Sequence, residues 1–367
     1  MPSPRIRRLQ LKPLHIPFTR SFRHASAERS ETATIWGDVE LDGGARGSGE
    51  SCPRSYVTGE SLDTAQEFLS RHRAAIVERV HDVASMREWM ASCAADIDAH
   101  PAAWCAIELA LLDAFAKDSS QTIEQLLGLP PLAGTFRYTA VLGDAEPAVF
   151  KTMIDEYRRF GFTDFKVKLS GDLERDRRKL SSLHSPAADP IRLRFDANNL
   201  WPVAEEAISF LRALAYPLFA IEEPIAPNQY EALAHLGDEL GCSVVLDESL
   251  LRAGQLESLP GPMSRWIVNV RVSKMGGLLR SLEIVRAVRR AGGRVVVGAQ
   301  VGETSLLTRA ALTVASNAEA ALVAQEGAFG TKLLVRDVSD PPLMFGHGGV
   351  LDTAAFPALR EPGFGII

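Results

Sequence analysis

Cysteine is scarce in this chain: four of 367 residues, Cys52, Cys93, Cys105 and Cys242, with no CxxC or zinc-type spacing among them. That scatter excludes a sequence-readable zinc site and suits a reducing compartment, so a cytoplasmic location is expected. Long apolar runs are missing too. No stretch approaches the ~18 uninterrupted apolar residues of a membrane span, and no membrane partner is expected. Nor is there an excess of positive charge. Forty Lys and Arg against 46 Asp and Glu leave a formal net charge of −6, which argues against nucleic acid as a partner. The opening MPSPRIRRLQLKPLHIPF is basic but has no apolar core and no small-residue cleavage site, so it reads as no secretory signal. A mitochondrial presequence is the alternative, opposed by the acidic residues that soon follow. GxGxxG, the P-loop, HExxH and GxSxG are all absent, and the eight histidines are isolated, His347 lying in a GHGG turn.

Material for a large core is there: 46% of the residues are apolar and 23% charged. At ~150 residues per domain the length predicts at least two domains. Residues 1–130 read as α+β, with strand alternation in Ile6–Leu11 and Thr34–Leu41 and a turn at Asp42-Gly43-Gly44. Helical periodicity follows in Leu62–Arg73, Ser85–Ala95 and Ala102–Phe115. Over 131–340, short apolar runs alternate with amphipathic stretches. The runs are Phe136–Leu142, Asp164–Leu169, Ile191–Asp196, Phe219–Glu222, Ser243–Asp247, Trp266–Val270, Arg294–Gly298 and Ala320–Ala324. Helical stretches between them include Pro147–Phe160, Val203–Leu214, Leu278–Ala291 and Thr304–Asn317. Strands each followed by a crossover pair in parallel, and this many units over so few residues fit a closed (β/α)8 barrel better than an open sheet. Residues 341–367 are expected to leave the barrel and pack on the N-terminal domain.

Barrel strands are apolar, with active groups where they end. Here polar residues recur at strand ends: Lys168, Asp196, Glu222, Asp247, Lys274, Gln300 and Gln325, spaced 25 to 28 residues apart. One strand–loop–helix–loop unit separates each from the next, so the spacing predicts one level of one rim. Asp196, Glu222 and Asp247 then converge from three successive strands. A lone acid at a strand end commonly caps the next helix. Three in register repel one another, and a hard divalent cation with oxygen ligands relieves that repulsion. Glu223 and Glu248, each following a candidate ligand, are read as supporting groups or lysine partners. Lys166 and Lys168 alternate onto one face of their strand, where neighbouring ammonium groups are expected to depress each other's pKa. Lys274 lies four strands further on, across the ring. Two lysines facing across a metal suit proton transfer on opposite faces of one carbon.

With these residues in hand, the chain resembles the enolase superfamily, and within it the muconate lactonizing enzyme subgroup. GESCPRSYVTGES, the KxK of Lys166 and Lys168, DAN at Asp196, EEP at Glu222, DES at Asp247 and SKMGG at Lys274 match in order and spacing. The resemblance implies an α/β fold: a modified (β/α)8 TIM-type barrel under an N-terminal α+β capping domain. It implies Mg²⁺, with Mn²⁺ as a substitute, held by Asp196, Glu222 and Asp247. Lys168 and Lys274 would be acid and base, Lys166 would tune Lys168, and Asn198 would support the metal site. The implied chemistry is abstraction of a proton α to a carboxylate through an enediolate, whose growing charge the metal and lysines offset.

A small-molecule carboxylate is the expected partner, and the resemblance implies a homo-oligomer. Racemisation or epimerisation of an N-acylamino acid, dipeptide or related carboxylate is the expected reaction. Alternatives are a muconate-type cycloisomerase and a syn-dehydratase resembling o-succinylbenzoate synthase; a non-catalytic binding protein is the remote one. The N-terminal stretch is most like the capping domain of dipeptide epimerases. Those enzymes carry an acidic DxD after the eighth strand, where this chain has Gln325-Glu326-Gly327-Ala328-Phe329-Gly330. Substrate-contact candidates are Gln300, Glu303, Gln325 and Glu326 after the last strands, and Phe18, Arg20, Phe22 and Arg23 in a capping loop over Phe18–Glu31.

Overall fold

A computed structural model describes residues 4–24, 27–183 and 191–366, without the side chains of residues 20–29. Arg20, Phe22 and Arg23 therefore lie outside the described residues as far as any substrate contact goes. The N-terminal part is a three-stranded antiparallel sheet, β1 (Ile6–Leu14), β4 (Thr34–Leu41) and β5 (Arg46–Ser51), in the order β1-β4-β5. Between β1 and β4, the segment expected as a loop is instead an antiparallel ribbon of β2 (Pro17–His24) and β3 (Ala27–Glu31). Helices α1 (Leu62–Arg79), α2 (Val83–Ser92), α3 (Ala94–Ala99), α4 (Pro101–Asp118) and α5 (Ile123–Leu127) follow. Ser61 and Asp82 cap the first two through reciprocal hydrogen bonds with Thr64 and Ser85.

Helix α4 is buried from Pro101 to Ala116 because its alanine face lies directly on the sheet. Gly47 and Gly49 allow that approach. A Cβ at Gly49 would stand 2.0 Å from the Ala106 carbonyl oxygen, and one at Gly47 2.1 Å from that of Ala110.

β6 (Thr135–Arg137) and β7 (Ala140–Leu142) divide a run the sequence presents as one strand. The division has a tertiary cause: β6 pairs antiparallel with β15 (Val350–Asp352) from the C-terminal segment. The barrel proper is parallel: β7, β8 (Asp164–Lys168), β9 (Arg192–Asp196), β10 (Ala220–Glu222), β11 (Ser243–Leu246), β12 (Trp266–Val270), β13 (Arg294–Val297) and β14 (Leu322–Gln325). It closes where Thr139 N–H donates to the Gln325 carbonyl at 2.7 Å. The crossovers carry α6 (Pro147–Arg159), α7 (Leu173–Ser181), α8 (Ala204–Leu214), α9 (Tyr230–Leu240), α10 (Val272–Met275), α11 (Leu278–Arg290) and α12 (Ser305–Ala318). The β11–β12 connection holds only short 3-10 turns. Among the described residues no helix is long and apolar enough to cross a membrane.

Alternate strand residues face a barrel's interior. Ala220, Val245, Ile267, Val296 and Ala324 form an apolar cluster there. Two residues on, along the same face, come Glu222, Asp247, Asn269 and Glu326. The interior therefore turns from apolar to polar in one step of the pleat.

Two buried carboxylates tie the N-terminal part to barrel helices. Glu50 accepts the N–H groups of Thr304 at 2.9 Å and Leu307 at 3.2 Å, at the start of α12; Glu108 accepts Leu279 N–H at 2.9 Å, at the start of α11. The C-terminal segment returns to the same region, with Phe364 N–H on Asp113 at 2.9 Å and Ile123 N–H on the Gly363 carbonyl at 3.1 Å. Burial pushes Glu50 and Glu108 up to about 7, against the pull of those hydrogen bonds. An unfolded glutamate titrates near ~4.3, so above that pH the folded chain keeps protons that the unfolded chain has lost. The resulting stabilisation is complete below about pH 4.3 and gone above about pH 7. Melting temperature is expected to fall between pH 5 and 8, and to fall less in the Glu50→Gln, Glu108→Gln double variant.

Candidate active site

Lys166 and Lys168 leave β8 on the inner face, as alternation predicts. Lys168 is in register with Asp196, and Asp196 with Glu222, so those three stand at one level. Asp247 lies two residues beyond Val245, the register partner of Glu222, and so sits one pleat step further out. The single level expected from the spacing is thus corrected at the third acid. Lys274 is also off the strand, in the short turn α10 beyond β12.

Asp196, Glu222 and Asp247 are at most 2% exposed, and cations of the chain stand among them. Lys166 Nζ is 3.1 Å from Glu222 Oε2, 3.4 Å from Asp196 Oδ2 and 3.0 Å from Glu326 Oε2. Lys168 Nζ lies 3.4 Å from Asp196 Oδ2 and donates to Asn198 Oδ1 at 2.6 Å. Arg271 Nη2 contacts Asp247 Oδ2 and lies 3.7 Å from Glu222 Oε1. Lys274 Nζ donates to Asp247 Oδ1 at 2.8 Å, to the Asp247 carbonyl at 2.6 Å and to the Asn269 carbonyl at 2.8 Å.

This crowding sets the electrostatics. Burial disfavours the Lys166 ammonium, but Glu222, Glu326 and Asp196 outweigh it and raise its pKa. The expected mutual depression of the lysine pair is therefore overturned at Lys166, because the carboxylates around it outnumber the neighbouring ammonium. Burial likewise disfavours the Asp247 carboxylate, yet Arg271 and Lys274 hold it well below the usual range. For Asp196 too burial is outweighed, and Lys168 and Lys166 lower its pKa. Glu222 goes the other way: burial, with repulsion from Asp196, Glu326 and Asp247, pushes it up to about 7 despite Lys166.

Supporting side chains fix the acids. Asn198, in left-handed backbone at φ 45°, donates its N–H to Asp196 Oδ1 at 3.1 Å while its side chain holds Lys168. Glu223 accepts the N–H groups of Asp247 at 2.7 Å and Ser249 at 2.8 Å, which sets the turn carrying Asp247. Ser273 Oγ accepts Cys52 N–H at 2.8 Å, so the N-terminal part fastens the turn carrying Lys274. Glu248 lines the neighbouring cavity, and its buried Oε2 has no hydrogen-bond partner among the described residues.

As the side chains stand, no three Asp, Glu, His or Cys residues among those described are gathered closely enough to hold an ion. Lys166 and Arg271 bridge the acids instead. The donor set nevertheless fits a hard dication: three buried, mutually repelling carboxylates, all-oxygen, with an unpartnered carboxylate oxygen beside them. Arg271 would compete with such an ion for Asp247 and Glu222. The Arg271→Met variant is expected to melt lower than the wild type without metal and to bind Mg²⁺ more tightly, read by melting curves across a Mg²⁺ titration.

A cavity of about 1120 Å³ opens over this cluster and is lined by Lys166, Lys168, Asp196 and Arg271, but not by Lys274. Gln300 lines it and accepts from Arg271 Nη1 at 3.3 Å. Glu303 lines it, but its carboxylate turns back to accept Gln300 N–H at 2.6 Å, and burial pushes it up to about 8. Glu326 is held between Lys166 and Arg194, the latter at 3.2 Å. Gln325 stands apart from the cavity, donating to the Tyr138 hydroxyl at 2.9 Å at the barrel seam. Phe18 also stands apart, packed with Ile16, Leu333 and Leu334, and its neighbour Thr19 lines the cavity instead.

Sequence reasoning missed Arg271, Arg194 and Asn269. The signal for Arg271 was present: it directly follows β12 as Asp247 directly follows β11, yet Lys274 fitted the spacing and hid it. Arg194 alternates with Asp196 on β9 and was legible in the same way.

Residues 150–367 match the family described as Enolase C-terminal domain-like. Over 297 residues the chain is 26% identical to a hydrophobic dipeptide epimerase of Enterococcus faecalis, covering 79% of this chain and 80% of that protein. Over 320 residues it is 24% identical to an N-succinyl-L-Arg/Lys racemase of Bacillus cereus, covering 85% and 84%. Among solved structures, a dipeptide epimerase from Methylococcus capsulatus complexed with Mg and L-Arg-D-Lys aligns at TM-score 0.82 and 25% identity, over 99% of both chains.

Proposed function

The chain belongs to the enolase C-terminal domain-like family, and on that premise we propose that it is an isomerase that removes and returns the proton α to a carboxylate, racemising or epimerising an N-acylamino acid or dipeptide. The observation that carries this reading is the placement of two lysines about three buried acids. Lys168 ends β8 beside Asp196, and Lys274 follows β12, four strands on, beside Asp247.

Asp196, Glu222 and Asp247 would hold Mg²⁺. When bound, the dication supplies Lewis-acid stabilisation of the negative charge that builds on the substrate carboxylate as the proton leaves. Lys166, kept protonated by its carboxylates, is a fixed positive charge rather than a base. Lys168 faces the cavity with Nζ aimed by Asn198, and takes or returns the proton on its side. Lys274 does so from the other side once Asp247 Oδ1 is no longer its acceptor. The Ser273–Cys52 tie keeps its turn in place.

A one-base reaction is the second reading, either cycloisomerisation or syn-elimination. The observation favouring it is that Lys274 has all its donors engaged and does not line the cavity. Proton NMR in D₂O with Mg²⁺ tests both readings on dipeptides, N-acylamino acids and cycloisomerase substrates. The proposal expects loss of the α-proton signal together with formation of the opposite stereoisomer. A lactone or alkene product without that exchange supports the second reading.

A further inference from the structure

The cavity runs well past the reacting groups. From Lys168 and Asp196 it extends sideways over α6 and the stretch after β14. Its volume of about 1120 Å³ exceeds the ~300–1,000 Å³ usual for small-molecule sites. Its far wall is apolar for a reason visible in α6. That helix already has a core face in Phe150 and Ile154. Beside it runs a second apolar stripe, Val149, Met153 and Tyr157, at steps of four, lining the cavity. Val149, at the outer end of that stripe, is 55% exposed, the most of any large apolar side chain among the described residues, while Met153 and Tyr157 are partly buried, Tyr157 against Phe162. The opposing wall is Phe329 and Phe345, in an edge-to-face pair with centroids 5.4 Å apart, with Phe160 at 6.2 Å from Phe345.

The charges in this part of the cavity discriminate against a cation. Lys332 Nζ stands 3.8 Å over the Phe160 ring, where it repels another ammonium or guanidinium. Of the acids on this side of the cavity, Glu326 is engaged by Lys166 and Arg194, Asp144 by Arg175 at 3.2 Å and Lys179 at 2.9 Å, and the exposed Glu146 lies 3.5 Å from Arg175. Glu156 remains at the outer rim, exposed to water, where an ion pair contributes little.

We infer that this extension is a subsite for an aromatic, uncharged group of the substrate. The inference rests on the isomerase reading of the barrel mouth with which the extension is continuous. An aromatic ring entering it covers Val149, Met153 and Tyr157 and meets the edges of Phe329 and Phe345.

The test measures two things on one panel, the N-acetyl derivatives of phenylalanine, alanine and arginine with Mg²⁺ present: affinity by calorimetry, and α-proton exchange in D₂O. The phenylalanine derivative is expected to bind about 10- to 100-fold more tightly than the alanine derivative, the range for burying one aromatic side chain. It should exceed the arginine derivative by at least as much. Phe329→Ala should shrink the first advantage, and Lys332→Glu should shrink the second by raising arginine affinity about 10-fold. Equal or undetectable affinities, or an arginine preference in the wild type, overturn the subsite. Exchange of all three without preference also overturns it, while leaving the isomerase reading standing. Selective phenylalanine binding without exchange supports the subsite and removes the isomerase reading instead.

Discussion

In D₂O with Mg²⁺, the Lys168→Ala variant is expected to exchange the α-proton of one enantiomer of its substrate and to lose exchange of the other. Lys274→Ala should show the complementary pattern. On the proposed reading the reason is geometric: Lys168 ends β8 and Lys274 sits in α10 beyond β12, four strands on, so each would meet one face of a carbon held above the acids. Removing a positioned general base costs about 10²- to 10⁴-fold, and racemisation, which needs both lysines, falls by that factor in either variant. Lys166→Ala behaves differently. It removes a fixed cation rather than a base, so exchange from both faces falls together. If Lys274→Ala left exchange from both enantiomers intact, the two-base proposal would fail, and the one-base reading would gain because Lys274 already has every donor engaged.

Asp247→Asn is the second large effect. That carboxylate answers two cations, the buried Lys274 at 2.8 Å and the partly buried Arg271. Neutralising it leaves both without their main counter-charge, and breaking a buried pair in this way costs about 3–5 kcal/mol. The variant should therefore melt well below the wild type without metal. It should also lack the rise in melting temperature expected of the wild type on adding Mg²⁺, which corresponds to about 2.7 kcal/mol of stability at one hundred times Kd. Urea unfolding with and without Mg²⁺ reads both effects. A variant that keeps the Mg²⁺ response would remove Asp247 from the ligand set.

Much of this was legible in the sequence, because barrel strands obey a simple rule: apolar along the run, polar at the end. Lys168, Asp196 and Glu222 were found that way, and their common level follows from strand register. Asp247 and Lys274 were found too, but not their depth, since strand stagger and the extra turn α10 are tertiary properties. Charge balance was the harder matter. The expected mutual depression of Lys166 and Lys168 rests on two residues alone. The fields of Glu222, Glu326 and Asp196, which reverse the conclusion at Lys166, come from strands far apart in sequence. The division between β6 and β7 was hidden for a similar reason, its partner β15 lying more than two hundred residues away. The ribbon of β2 and β3 reads as a loop because its residues are polar and lack alternation, and only the pairing makes it a strand pair.

Diffraction from crystals soaked in Mn²⁺, with the anomalous signal recorded, would locate any dication held by the three acids. The expected result is one ion at the barrel mouth, ligated by oxygens of Asp196, Glu222 and Asp247, with Arg271 displaced from Asp247. No ion there, with Lys166 and Arg271 still bridging the three carboxylates, would contradict it.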